Sequence, residues 1–231
     1  AQVARCIPDV KATDLDGVLK LCRDEKVDFV VVAPDDPLAL GMVDMLTREG
    51  IPAFGPTQSA ARMESSKIFS KNLMKKYGIP TAAYETFDDA QAALDYVATA
   101  KTPIVIKADG LALGKGVIIA KTNAEAADAV RSMMLEGAFK QSGKRVVIEE
   151  FMSGRECTVL CFCDEHAIVP MPSSQDHKRA LDNDEGLNTG GMGAVAPTPF
   201  YDKATAKRVY DEILKPTLDA MNAEGLNFRG V

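Results

Sequence analysis

The residues best equipped for chemistry lie in one run, IVIKADGLALGKGVIIA, from Ile104 to Ala120. Gly110, Gly114 and Gly116 permit positive φ and close backbone approach to a ligand. Lys107 and Lys115 add ammonium groups suited to phosphate oxygens. A Walker P-loop would need G-x-x-x-x-G-K-[ST] between a strand and a helix. Counting back from Gly114-Lys115, the first glycine position holds Asp109, the hydroxyl position holds Gly116, and Val117–Ala120 reads as a strand. A dinucleotide fingerprint fails too, because no helix opens at the glycines. Two readings remain. One is a hairpin whose glycine tip folds its N–H groups over a nucleoside triphosphate; the other is a plain flexible turn.

Downstream, Arg145–Phe151 reads as a strand and Met152–Glu156 as a turn into the next. An edge over Glu149, Glu150, Phe151 and Met152 can offer backbone groups to an adenine, with Glu156 placed for ribose hydroxyls. The alternative is an ordinary half-exposed strand end. Cys157, Cys161 and Cys163 share strand parity and His166 follows closely. Their spacing lacks the paired framework of a zinc site, and alternation puts them on a core face instead. Asp176 beside His177 reads as a structural hydrogen bond before a general base. Asp182–Glu185 reads as a solvated acidic cluster, and Met133 and Met134 as core filler.

These residues need a scaffold. Leu15, Val18, Leu19 and Cys22 make a helical face over 14–25. Residues 28–33 form an apolar run of the kind buried in a parallel sheet. A helix over 37–48 follows, with Pro37 in its first turn, and a short strand over 51–54. This alternation predicts a βαβ, doubly wound unit. Then come a helix over 67–77 stopped by Gly78, a strand over 81–85, a helix opened by Thr86–Asp89, and strands over 103–107 and 117–120. Thr122–Glu125 is a capping box, opening a helix to about Leu135. Strands over 145–151 and 157–163 follow. The order strand–helix–strand–strand–helix–strand suits a small α+β lid. Residues 172–199 are polar, glycine-rich and without period, which in so long a stretch points to function or disorder. A helix over 202–221 ends the series.

The bulk numbers narrow the partners. A net charge of −6 over 231 residues argues against a nucleic-acid partner. No run is long and apolar enough for a transmembrane helix. Five cysteines, an odd number, suit a reducing cytoplasm. The chain opens at Ala1 in a strand-like run and stops at Val231 as another begins, so truncation at both ends is expected.

The segments Ser65–Lys67, Ile104–Val117, Val147–Glu156, Ser174–Arg179 (SQDHKR) and Asn188–Ala194 (NTGGMGA) occur in that order. With them the chain resembles the phosphoribosylamine–glycine ligase (glycinamide ribonucleotide synthetase) family of the ATP-grasp superfamily, along nearly its whole length. The resemblance implies α/β plus α+β architecture: a partial N-terminal α/β domain over 1–62, a partial ATP-grasp core over 63–82 and 152–231, and a lid over 83–151. It implies joining of glycine to 5-phosphoribosylamine through glycyl phosphate, with ATP and Mg²⁺, in cytoplasmic purine biosynthesis. Another ATP-grasp carboxylate–amine ligase and a non-catalytic nucleotide-binding module are the rival readings. By resemblance, Lys67, Lys107 and the Gly110–Val117 loop hold ATP phosphates, Glu149–Met152 read adenine, and Glu156 holds the ribose. Pro34 and Asp35, then Ser174, Asp176, His177, Lys178 and Arg179, then Asn188, Thr189, Gly190 and Gly191 line the substrate site. Ala33 and Asp35 replace a glycine and a glutamate common in the family. No catalytic residue is assigned. The family's Mg²⁺ ligands are expected beyond Val231, so the chain alone is expected to be inactive or nearly so.

Overall fold

The computed structural model describes residues 3–112, 116–189 and 191–231. Helix α1 (Leu15–Asp24) starts at Asp14, whose carboxylate accepts from the Gly17 N–H at 3.0 Å. Its Leu15, Val18 and Cys22 pack against β1 (Val30–Val31), α2 (Asp35–Ala39), α3 (Met42–Arg48) and β2 (Ala53–Phe54) in a first core. β1 and β2 are parallel. The run over 28–33 is less buried than its composition suggests. Val32 is inside, but Phe29 and Val31 are 55% and 62% exposed. Among the described residues this sheet has two strands. The helix expected over 37–48 is two helices. Leu40 ends α2, and Gly41 at φ +87° begins α3, a conformation that a side chain would strain.

After the single turn α4 (Arg62–Ser65), α5 (Lys67–Tyr77) covers the expected residues and stops at Gly78, φ +67°, while Ser66 caps its start. The lid follows as β3 (Tyr84–Phe87), α6 (Ala90–Thr99), β4 (Ile104–Ala108), β5 (Val117–Ala120), α7 (Asn123–Val130) and β6 (Val146–Glu150). Its element order is the one read from the sequence. β3 begins at Tyr84 rather than Thr81, because side chains engage the segment before it. Thr81 Oγ1 accepts from Lys71, and the Ala83 N–H donates to Glu150. Thr86 therefore lies in β3, and Asp89 caps α6. In the capping box, Thr122 accepts from the Glu125 N–H, while the Glu125 carboxylate accepts from Lys121 rather than Thr122. α7 continues through a π segment to Leu135, and a 3₁₀ turn spans Lys140–Lys144.

The lid sheet is antiparallel in the order β3-β6-β4-β5, with Ile106 opposite both Ile148 and Ile118. Alternation sorts its two faces. Ile104, Ile106, Val146 and Ile148 pack against Val97, Val130 and Met133 of the α6–α7 layer. Each such side chain contributes about 1.5–3 kcal/mol on burial. The opposite face carries Lys107, Val117, Val147 and Glu149, and β6 meets α5 there.

The strand expected over 157–163 shrinks to an isolated bridge, Thr158 with Ser174, and β7 (Cys161–Cys163) paired with β8 (Ile168–Pro170). Cys161 and Cys163 are half-buried, and burial pushes both thiols up. Cys157 is exposed, and Cys163 is the one of the three that packs against a core, so the core-face reading is met there alone among the described residues. The stretch over 172–199 is not structureless. It holds β9 (Gln175–Asp176), β10 (Arg179–Leu181), β11 (Glu185–Asn188) and β12 (Ala194–Val195). α8 (Lys203–Val209) and α9 (Lys215–Ala223) form one helical run through a π segment over Tyr210–Leu214. Leu218 and Met221 join Leu73 and Ile79 in a third core, which docks α9 against α5.

Candidate functional site

The hairpin itself is present. β4 and β5 pair in register from Ile104–Ala120 to Lys107–Val117, so the glycine segment is their connection. Gly114 and Lys115 lie outside the described residues, as does Gly190. The loop's root is Asp109, just past β4, with a buried carboxylate. Its Oδ1 accepts from Ser66 Oγ at 3.0 Å and from the Ile68 N–H at 2.8 Å. Its Oδ2 accepts from the Arg145 guanidinium at 2.5 Å. The Lys67 N–H donates to Asp109 O, and the Asp109 N–H to Arg145 O. The position where a P-loop would carry glycine therefore clamps the lid sheet to the N-terminus of α5.

That clamp places Lys67 against the loop, and its Nζ donates to Gly110 O at 3.1 Å. A Cβ on Gly110 would sit 2.5 Å from Ser142 Oγ, whose hydroxyl donates to Leu111 O. A Cβ on Gly116 would sit 2.7 Å from the Ala112 Cβ. Gly110 is demanded by close approach to the 3₁₀ turn, and Gly116 by close approach within the loop. A cavity of about 400 Å³ opens here, lined by Pro34, Asp35, Glu64, Lys67, Ala112 and Gly116 among others. Burial pushes the Lys67 ammonium below its usual value; Glu64 and Asp109 pull it back, and the charge of Lys107 lowers it further.

Lys107 reaches Glu149 Oε2 at 2.8 Å, and Lys71 reaches Glu149 Oε1 at 3.4 Å. The Lys71 ammonium also donates to Thr81 Oγ1 at 2.6 Å and to Ala82 O at 3.4 Å. Burial lowers the Lys71 pKa, with Glu149 opposing. The Glu149 backbone pairs with Tyr84 on one side and Val105 on the other, so the sheet uses it on both sides. The Glu150 N–H donates to Ala83 O, and its carboxylate accepts from the Ala83 N–H, both at 2.9 Å. Phe151 and Met152, both exposed, continue past the paired residues of β6.

The SQDHKR and NTGGMGA segments form one ribbon. β9 pairs with β12, and β10 with β11, both antiparallel, setting Arg179 opposite Asn188 and Asp176 opposite Ala194. The His177 N–H donates to Gly193 O, and the Met192 N–H to His177 O. Thr189 donates through both N–H and Oγ1 to Lys178 O, and accepts from the Gly191 N–H. A Cβ on Gly191 would sit 3.2 Å from Asp176 Oδ1. Lys178 reaches Glu156 at 3.7 Å and Asp176 at 4.0 Å, and Ser174 bridges to Thr158. Glu156 thus faces this ribbon through Lys178. Lys71, Asp109 and Arg145 were missed in the sequence. The one available signal was Lys71, four residues after Lys67 and so on the same helical face.

Comparisons with known proteins show the family to which the chain belongs. The family model described as phosphoribosylglycinamide synthetase, ATP-grasp (A) domain, matches residues 65–231. The one described as phosphoribosylglycinamide synthetase, N domain, matches residues 1–64. The phosphoribosylamine–glycine ligase of Neisseria meningitidis is 49% identical over 224 residues, covering 97% of this chain and 53% of its own length. The chloroplastic phosphoribosylamine–glycine ligase of Arabidopsis thaliana is 46% identical, covering 99% of this chain and 43% of its own length. The chain thus spans about half the length of these relatives. The crystal structure of phosphoribosylamine–glycine ligase from Thermotoga maritima superposes with a TM-score of 0.77 at 32% identity, covering 90% of this chain and 51% of that one. Among the described residues, no helix is long and apolar enough to cross a membrane.

Proposed function

Since this chain belongs to the phosphoribosylglycinamide synthetase family, we propose that it supplies the nucleotide-binding part of an ATP-dependent carbon–nitrogen ligase. The reaction joins glycine to 5-phosphoribosylamine by way of glycyl phosphate, giving glycinamide ribonucleotide, ADP and phosphate in cytoplasmic purine biosynthesis. The observation that carries the reading is the meeting of α5 and the β4–β5 loop: Lys67 donates to Gly110 O, beside a cavity that reaches Pro34 and Asp35.

In this reading Lys67, Lys107 and the backbone from Gly110 to Gly116 position the phosphates of ATP and offset their charge. Phosphoryl transfer depends mostly on such positioning and electrostatics. Phe151 and Met152 offer backbone groups to the adenine, and Glu156 binds the ribose. Pro34, Asp35 and the Ser174–Arg179 and Asn188–Gly191 ribbon line the substrate side. The loop closes over the site and keeps water from the acyl phosphate. Bound Mg²⁺ would offset phosphate charge. Among the described residues no cluster of three His, Cys, Asp or Glu is placed to hold it, and no ligand is assigned within residues 1–231. We divide the chain into an N-terminal unit over 1–62, a core over 63–82 and 152–231, and a lid over 83–151. The separate cores around Leu46, Leu73 and Ile106 support this division.

Calorimetric titration with ATP tests the nucleotide site. The chain is expected to bind ATP and the Lys107→Ala variant to bind it at least tenfold more weakly. Equal affinity would refute the assignment. For the ligase reaction, ADP release by a protein carrying this chain together with the remaining length of its relatives is expected to require both glycine and 5-phosphoribosylamine. Turnover with another amino acid in place of glycine would transfer the chain to a different carboxylate–amine ligase.

A further inference from the structure

The lid face that looks at α5 holds a buried group of three charges: Glu149 between Lys71 and Lys107. The two lysines are not equivalent. Lys71 is 11% exposed, and its ammonium meets Glu149, Thr81 Oγ1 and Ala82 O, which uses its three N–H donors. Lys107 is 28% exposed and, among the described residues, its ammonium meets only Glu149. Two donors of Lys107 therefore remain for a ligand, while Lys71 has none to give.

We propose that Lys71 is a positioning residue: it serves as the fixed counter-ion of Glu149, so that Lys107 can turn its charge toward the terminal phosphates of a nucleotide. This rests on the nucleotide-site reading above. Charge counting gives the reason. With both lysines ionised the group carries +1, which attracts an anion. Without Lys71 the pair Lys107–Glu149 is neutral. The carboxylate would then be buried with one partner, and drawing Lys107 toward a phosphate would leave it uncompensated. Lys71 does not touch the ligand. Its effect passes through the carboxylate, whose two oxygens serve different lysines.

The test is calorimetric titration of the chain with ATP and with AMP, which shares the adenosine but lacks the terminal phosphates. Lys71→Met is expected to weaken ATP binding about tenfold, or about 1.4 kcal/mol, with AMP binding changed less than twofold. Lys71→Arg, which keeps the charge, is expected to restore most of the ATP preference. Lys75→Met, which removes an exposed charge from the same helix, is expected to leave it unchanged. A Lys71→Met variant with an unchanged ratio of ATP to AMP affinity would overturn the inference and leave the nucleotide site standing. So would equal losses for both ligands, the mark of a merely structural role. If Lys71→Met does not fold, Lys71→Arg and Lys71→Gln decide: a preference kept by Arg and lost by Gln supports the inference, and one kept by both defeats it. A wild-type chain that binds neither nucleotide would remove the site reading and this inference together.

Discussion

Replacing Asp109 by alanine should loosen the junction between the lid and α5 without touching a core. In the folded chain its carboxylate accepts from Ser66 Oγ, from the Ile68 N–H and from Arg145. The bond to Ile68 caps α5, and losing a capping acceptor costs about 1 kcal/mol. The bond to Ser66 adds about 1 kcal/mol, the usual net contribution of a hydrogen bond. Arg145 is 54% exposed and can turn to water, so its arm contributes under about 1 kcal/mol despite its short distance. The expected total is about 2–3 kcal/mol of local stability. Amide hydrogen exchange at Ile68 and Phe69 reads that quantity directly, because it reports the opening of one segment. Asp109→Ala should speed exchange there by about 30- to 150-fold relative to amides in α6. Asp109→Asn, which keeps an acceptor, should cost less than half as much in free energy. Arg145→Ala should cost less than Asp109→Ala, and the double variant no more than Asp109→Ala alone. An Asp109→Ala variant whose Ile68 exchange rises less than threefold would refute the clamp. A uniform rise through α6 and α7 would show that Asp109 supports the lid as a whole.

Lys67→Met should weaken ATP binding more than AMP binding in the same titrations; an effect on AMP as large as on ATP would separate Lys67 from the phosphates. Gly143→Ala puts a Cβ 2.4 Å from the backbone carbonyl oxygen of Met133, in the turn that carries Ser142 beneath the glycine loop. Overpacking there should cost about 1–3 kcal/mol and lower the thermal midpoint by several degrees; an unchanged midpoint would contradict the packing. The Arg229 guanidinium holds the Glu165 carboxyl down at about 2. A depressed carboxylate stabilises the fold above its unfolded pKa, near about 4.3, and that contribution is lost as pH falls toward 2. NMR titration should show Glu165 ionised well below pH 4 and returned to the ordinary range in Arg229→Ala; equal midpoints in both proteins would exclude the pair.

Local chemistry made much of this chain legible in the sequence. A glycine after Tyr77 marks the end of α5, since left-handed termination needs few neighbours. The β-branched runs of Ile104–Ile106 and Val117–Ile119, with glycines between, pointed to a hairpin and excluded a P-loop, because a strand cannot supply the helix N-terminus that a P-loop requires. Lys107 could be singled out by its place beside the glycines, and Lys67 and the two motif segments by the family resemblance they carry.

Tertiary structure alone decided what these residues touch. Leu40-Gly41 divides a continuous helical pattern, and only the packing of α2 and α3 shows it. Glu149 looked like the start of a free edge, yet pairing on both sides commits its backbone and two lysines hold its carboxylate. Asp109, noticed for not being glycine, is the clamp. SQDHKR and NTGGMGA, read as separate walls, are strands of one ribbon. Sequence determines propensity over a few residues, where backbone sterics and capping act. The charge partners, the paired edges and the shared cavity depend on contacts between segments far apart in the chain, and those exist only once the three cores have formed.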